Sequence, residues 1–263
     1  MVYEIKNNDN SLIHGIADLI LEIGHEPFFD KLTYLLRTAA SFDDYVILIY
    51  HPSKTPTVLS SSFATDELQA WENYLKGAYL LSPFYDFCVN QHKEGLVTLD
   101  EIAPDDFYQS AYYNEYFHFS KLIDETSFAV HGKDDSTYLL SLGRTQSLAK
   151  FNRRVLAKLR SLYPILKSTI KMHDERMSLP ERPSNQTVKD YVNNFGGELL
   201  TPREKEVMNL LMRGFSSKEA ARRLDISFET ERVHRKNIYS KLEISSQKEL
   251  LAKIFDNLMG LKT

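Results

Sequence analysis

Residues 200–244 read LTPREKEVMNLLMRGFSSKEAARRLDISFETERVHRKNIYSKLEI, and they leave little choice of fold because three helix starts follow one another closely. Thr201 is followed by Pro202 and, three residues on, by Glu204: a capping box with proline at the first helical position. Ser216 stands three residues before Glu219, the pattern of a second capping box. Ser227 precedes residues 228–242, a run without Gly or Pro. Val207, Leu210 and Leu211 give the first helix an apolar stripe; Ala220, Ala221 and Leu224 do so for the second, with small residues where two backbones approach. Only Asp225, Ile226 and Ser227 separate the second helix from the third. A short helix, a tight turn and a longer basic helix are what a major-groove reader needs.

This stretch resembles the DNA-binding domain of LuxR/GerE-type transcription regulators over residues 200–258, about the last quarter of the chain. The matching residues are Leu200-Thr201-Pro202-Arg203-Glu204, Glu206-Val207, Gly214, Lys218-Glu219, Ala221, Leu224, Ile226-Ser227, Thr230, His234, Asn237-Ile238 and Lys241-Leu242. So many spaced matches are far more specific than a bare helix-turn-helix pattern. The resemblance implies an all-α, four-helix unit with residues 228–242 as recognition helix. It also implies a fourth helix, 246–258, that packs behind the recognition helix and pairs with its twin in a dimer.

Helical spacing puts Glu231, His234, Ile238 and Leu242 on one stripe, facing the rest of the domain. Arg232, Val233 and Lys236 lie elsewhere, and in the resembled family the matching positions touch bases. Arg232 is suited to donate twice to guanine O6 and N7, and Val233 to touch a thymine methyl. Arg235, Lys241 and Lys218 are placed by analogy at phosphates, which fix register rather than sequence. Thr230 completes the DNA-binding set. Glu231 departs from the family, where valine is usual. A buried lone carboxylate is costly, so a rim position with its carboxyl reaching solvent is the preferred reading, with His234 and Arg235 in helical reach. The sharper alternative is that Glu231 weakens DNA binding until a ligand or dimer rearranges the domain.

Net charge is −4, unevenly spread. Residues 198–263 hold 13 Lys/Arg against 10 Asp/Glu, and residues 1–197 hold 19 against 26. A mildly basic C-terminal unit on an acidic partner fits a DNA reader joined to a part that does not touch DNA. Cys88 is the sole cysteine, which excludes a disulfide framework and a cysteine-based zinc site. The start, MVYEIKNNDNSL, lacks a signal-peptide profile. No apolar run approaches the ~18 residues of a membrane span. A soluble cytoplasmic protein that uses no cofactor and does not engage membranes is expected.

Upstream, helices are expected over 11–23 and 26–40, a strand hairpin over 45–50 and 57–63, helices over 65–81 and from 84 to 90, and a short strand at 96–99. A very aromatic helix is expected over 105–119, then strands at 128–131 and 137–142. A long helix over 147–177 follows, with Pro164 expected to kink it. Residues 178–197, with Pro180, Pro183, Gly196 and Gly197, read as a linker. The fold class is therefore α+β: an antiparallel sheet flanked by helices over 1–177, GAF- or PAS-like by element order, a linker over 178–197, and the helix-turn-helix unit over 198–263. A phospho-acceptor receiver is rejected, because Asp43 and Asp44 precede a strand and strand–helix alternation is missing.

A small-molecule sensor fits better. Residues 71–119 are crowded with aromatics. Buried tyrosine hydroxyls need partners, and such a wall suits a pocket for a modest ligand. The candidate ligand-binding residues are Trp71, Tyr74, Tyr79, Tyr85, Tyr108, Tyr112, Tyr116, Asp124 and Glu125. Aromatic faces with a carboxylate (Asp86 is a further candidate) favour a cationic amine. Residues 71–83 also resemble the acyl-homoserine-lactone pocket of quorum-sensing LuxR proteins, where a Trp, a Tyr and an Asp-Pro pair hold the signal. Here Ser82 precedes Pro83 where Asp is expected, so the group that takes the ligand amide is missing. An acyl-homoserine-lactone receptor stays an alternative, as does an adaptor whose helix-turn-helix binds protein. Cys88 and His92 share a helical spacing, but nothing adjacent supplies an orienting group or oxyanion site, and no catalytic residue is assigned. The reading is a homodimeric, ligand-responsive regulator of double-stranded DNA, with a signal passed through residues 147–177.

Overall fold

The computed structural model describes residues 7–62, 71, 74–177, 195–247, 249, 250 and 253. Helices α1 (Asn7–Leu21) and α2 (Phe28–Ala39) lead into strands β1 (Asp44–His51) and β2 (Lys54–Ser61). Then come β3 (Gly95–Thr98), β4 (Asp124–His131), β5 (Thr137–Arg144) and the long α3 (Arg153–Arg176). After the linker region come α4 (Pro202–Met212), α5 (Ser217–Arg223) and α6 (Phe228–Lys241). The architecture is α+β. Five antiparallel strands lie in the order β2-β1-β5-β4-β3.

Successive strand residues point to opposite faces, and this sheet buries both. Ile47, Ile49, Phe128, Val130, Tyr138, Leu140 and Leu142 pack one face against α1, α2 and the Leu159, Leu162, Leu166 and Ile170 stripe of α3. Each such side chain contributes about 1.5–3 kcal/mol by leaving water. Val46, Leu48, Tyr50, Ala129 and Leu139 face the other way, into the aromatic segment. That second cluster continues through Tyr85 and Phe107 into Leu200, Val207, Leu211 and Ile238, so sensor and helix-turn-helix unit share buried apolar packing.

Strands β4 and β5 run longer than the apolar runs at 128–131 and 137–142 predict. The extra residues of β4 are polar, and their side chains find partners. Asp124 accepts the Phe151 N–H at 2.6 Å, Thr126 donates to the Val97 carbonyl at 3.1 Å, and Ser127 meets Ser141 at 2.7 Å. The helix expected over 105–119 is broken into short turns, Phe107–Gln109, Ala111–Glu115 and Phe117–Ser120. Ser110 restarts the chain by accepting the Tyr113 N–H, and Tyr116 leaves helical geometry. Of the helix expected at 65–81, residues 65–70, 72 and 73 lie outside the described set. Residues 74–76 are helical, and Gly77 at φ 157° ends the helix before the tight turn Ala78–Leu81.

The long helix starts at Arg153 rather than 147, because Asn152 caps it by accepting the Val155 N–H at 3.0 Å. It runs unbroken through Pro164. Its last turn is gripped. The buried Asp174 accepts the Tyr138 hydroxyl at 2.7 Å and the Lys133 N–H at 2.8 Å. His173 accepts the Gly24 N–H at 3.0 Å and stacks on Phe28 at 4.0 Å. Residues 178–194 of the expected linker lie outside the described residues. Among the described residues, no helix is long and apolar enough to cross a membrane.

Candidate DNA interface and sensor cavity

The capping box at Thr201 forms as the spacing predicts: Thr201 Oγ1 accepts the Glu204 N–H, and Glu204 Oε2 takes the Thr201 N–H at 2.8 Å. The same buried carboxylate accepts the Lys241 ammonium at 2.7 Å. Burial alone would raise the Glu204 carboxyl, but Lys241 and Thr201 outweigh it and hold it below the usual range. One carboxylate thus ties the start of α4 to the end of α6.

The second capping box forms only in half. Ser216 Oγ accepts the Glu219 N–H, but Glu219 turns outward to Arg222 and Arg223. The Ser216 N–H goes instead to Asp105, a residue of the sensor, at 3.0 Å, and the Ser216 hydroxyl donates to the same carboxylate. Two further contacts accompany it. Asp106 N–H donates to the Gly214 carbonyl at 3.1 Å, and Arg213 pairs with Asp86 at 2.7 Å. Gly214 sits at φ +85°, and a Cβ there would lie 2.6 Å from Ser110 Cβ. Glycine is therefore required both by the left-handed turn and by the closeness of the sensor. Asp86, an acid considered for the ligand, is used in this contact and by Asn90 and Gln91.

On α6, Ser227 accepts the Thr230 N–H at 3.0 Å. Ile238 and Leu242 are buried, and Arg232, Val233 and Lys236 are exposed, Val233 at 57%. The guanidinium of Arg232 lies 5.7 Å from the Phe228 ring centre. Lys218 and Thr230 are exposed as well, with the Thr230 hydroxyl beside Ser227 at 2.9 Å. Two of the cations read as phosphate contacts have partners inside the domain, Lys241 on Glu204 and Arg235 on Glu231. The rim placement of Glu231 is not what forms. Its exposure is 0%; Oε1 accepts two N–H groups of Arg235 at 3.1 Å, and Oε2 has no partner. Of the fourth helix, Gln247, Glu249, Leu250 and Lys253 are described as helical, with Leu250 buried. Leu251, Ile254 and Leu258 of the expected helix 246–258 lie outside the described residues.

Between the second face of the sheet and the aromatic segment lies a cavity of ≈ 60 Å³. At roughly 10–15 Å³ for each water-sized occupant, it holds on the order of four such units as folded. Five of the nine predicted ligand residues line it: Trp71, Tyr74, Tyr112, Tyr116 and Glu125. Four do not. Tyr108 is 68% exposed, Tyr79 is buried beside Tyr74 and Tyr85, Tyr85 borders a groove against α4, and Asp124 is spent on the Phe151 N–H. Asp44, Tyr50, Ser82 and Ser141 line it unpredicted. Strand alternation could have found Tyr50 and Ser141, whereas Ser82 has a signal only in the resemblance to the lactone pocket. Tyr50 and Tyr74 hydroxyls bond each other, and the Ser141 hydroxyl lies near Glu125. Ser82, 1% exposed, lies near the Tyr74 and Tyr112 hydroxyls, but its Oγ makes no hydrogen bond of good geometry. Burial is the largest cause that pushes the Glu125 carboxyl up to about 7; the Ser141 hydroxyl opposes it, and the smaller effect of the Asp124 charge adds to it.

Cys88 has no features of a nucleophile: it is fully buried, and desolvation pushes its thiol well up. His92 stacks on His131 at 4.3 Å. Among the described residues, no group of three His, Cys, Asp or Glu is placed to hold a metal.

Residues 198–253 match the model of the bacterial regulatory proteins of the luxR family. The chain carries a luxR-family helix-turn-helix domain at residues 198–253. Its similarity to an HTH-type transcriptional regulator encoded in the exeN 3′ region of Aeromonas salmonicida is 29% identity over 146 residues, 52% of this chain and 74% of that protein. To the response regulator TodT of Pseudomonas putida it is 38% identical over 73 residues, 27% of this chain and 31% of TodT. Among solved structures, the LBD domain of VqsR from Pseudomonas aeruginosa superposes with a TM-score of 0.56 at 26% identity, over 63% of this chain and 98% of that one. The match to the family model thus falls on the part with the exposed Arg232, Val233 and Lys236.

Proposed function

We propose that this protein is a sequence-specific transcription regulator that reads duplex DNA through α6 and is controlled by a small molecule held in the sensor cavity. The observation that carries the reading is the division of α6: Ile238 and Leu242 are buried while Arg232, Val233 and Lys236 stand free on the opposite side. In this reading residues 1–177 sense, 178–197 link and 198–263 bind DNA. The molecule acts in the cytoplasm, as a homodimer on near-palindromic half-sites, and does no catalysis. Arg232 and Val233 read base edges; Lys236, Lys218 and Thr230 hold the backbone. Arg235 and Lys241 primarily hold the domain together. Ligand binding resets the grip of Asp86, Asp105 and Asp106 on Arg213, Ser216 and Gly214, and so the placement of the DNA-reading unit.

An anisotropy titration with duplex selected from genomic fragments tests this. Affinity is expected to fall about 10²-fold or more between roughly 50 and 200 mM salt, for two phosphate-holding cations on each protomer of a dimer. Arg232→Ala is expected to cost about 1–3 kcal/mol and relax preference at one base pair, and Lys236→Ala to weaken all duplexes evenly. Salt-independent binding, or no binding to any fragment, would favour the protein-binding adaptor. The small cavity supports a compact effector over a long-chain acyl-homoserine lactone.

A further inference from the structure

We propose that the effector is a small organic cation, an amine whose ammonium group sits against Glu125. The proposal rests on the reading that this cavity is the effector site, and it names the chemistry of the occupant.

The lining decides the sign of the charge. Among the described residues it contains two carboxylates, Glu125 and Asp44, and no Lys, Arg or His. Asp86 and Asp124, the other acids considered from sequence, are engaged elsewhere, so Glu125 is the deep carboxylate that faces the space. It is buried, with the Ser141 hydroxyl close by. A carboxylate taken out of water without a countercharge is costly. An ammonium entering the cavity would supply that charge.

The walls fit the same class. Trp71, Tyr74, Tyr112 and Tyr116 pack edge-on or tilted against one another, with ring centres 4.8–6.5 Å apart. Their rings offer negative faces to a cation. Ser82 Oγ is buried on the cavity wall without a well-formed hydrogen bond. Buried hydroxyls are normally paired, and an ammonium proton would satisfy this one while another meets Glu125. A neutral ligand would leave the Glu125 charge unanswered, and an anion would confront two carboxylates.

The chain carries its own reporter, since Trp71 is its sole tryptophan and lines the cavity. The experiment is a Trp71 fluorescence titration of the full-length protein at pH 8 with four probes: n-butylamine, benzylamine, 1-butanol and benzyl alcohol, with butyrate as the anionic control. The expected result is saturable change with an amine at least tenfold tighter than its alcohol, and none with butyrate. Glu125→Gln is expected to erase the amine preference while leaving the alcohols unchanged. The amine-to-alcohol ratio in the unaltered protein needs no variant, so it decides even where Glu125→Gln does not fold. Alcohols or butyrate binding as tightly as the amines would overturn the cation and leave the cavity as a binding site. No saturable response to any probe would overturn the cation and count against the cavity as effector site.

Discussion

Asp105 supplies to Ser216 the carboxylate that helix α5 does not supply from its own third residue. It takes the Ser216 backbone N–H at 3.0 Å and the Ser216 hydroxyl. The cap of helix α5 is thereby completed from the sensor. Burial by itself would raise this carboxyl, yet its Ser216 hydrogen bonds hold it below the ordinary 3.8.

Asp105→Ala is expected to free the Ser216 N–H and loosen the helix-turn-helix unit from the sensor, at a cost of about 1 kcal/mol. Hydrogen exchange checks it: amides of residues 213–217 should exchange faster in the variant. The pH dependence has a definite sign. A depressed carboxyl contributes fully above its ordinary value, and that contribution is lost as pH falls through the bound value. The unaltered protein should therefore approach the variant's exchange rates only in acid.

Gly214→Ala is expected to be more damaging than a surface glycine change. The added methyl meets Ser110 Cβ at 2.6 Å, and the backbone is at φ +85°. Left-handed strain alone is of order 1–3 kcal/mol. The melting temperature should fall, and cross-linking between Cys pairs introduced on the two parts should drop with it.

Glu231→Val is expected to stabilise the C-terminal unit by roughly 1–3 kcal/mol in a urea titration, because an unpaired buried oxygen carries about that penalty. It also releases Arg235, whose guanidinium is held on Glu231. A freed Arg235 that reaches a phosphate would steepen the salt dependence of DNA binding by about one unit. Unchanged operator affinity would remove any restraining role for Glu231.

Glu125 gives a pH signature of opposite sense. Its carboxyl is raised to about 7 from 4.5, chiefly by burial. Below 4.5 both folded and unfolded chains hold the proton. Between the two values only the folded chain does, so stability falls as pH rises, and the deficit stays constant above 7. By ~1.4 kcal/mol per unit this is on the order of 3 kcal/mol. Among the described residues, the groups lining the cavity or adjacent to it (Ser141, Asp44, Asp124, Tyr74, Tyr112) include no cation to offset it. Glu125→Gln should raise the melting temperature at pH 8 and change it little near pH 5.

The helix-turn-helix part was the more legible because its signals are local. Thr201, Ser216 and Ser227 each stand where a helix begins, and each accepts the backbone N–H three residues on. What could not be read there was distance in space. Nothing near Ser216 announces Asp105, 111 residues earlier. In the sensor, apolar runs located the strands but truncated β4 and β5, whose polar ends are satisfied by neighbours the sequence does not order. The aromatic crowd pointed to a cavity wall, yet composition could not separate Tyr112, which faces the space, from Tyr108, which faces solvent. Likewise Asp124 and Glu125 are adjacent in sequence, and strand alternation sends one to a backbone amide and the other to the cavity.

The clamped last turn of α3 bears on how news of an occupied cavity can travel. With His173 wedged on Phe28 and Asp174 held by Tyr138 and Lys133, twisting that helix would mean tearing apart its moorings to the α1–α2 corner and to the β4–β5 hairpin. The longest of the described helices is thus a mast rather than a driveshaft. The easier route runs sideways, from the tyrosine wall through the neighbouring turns at Asp86 and Asp105 to the flank of the DNA reader.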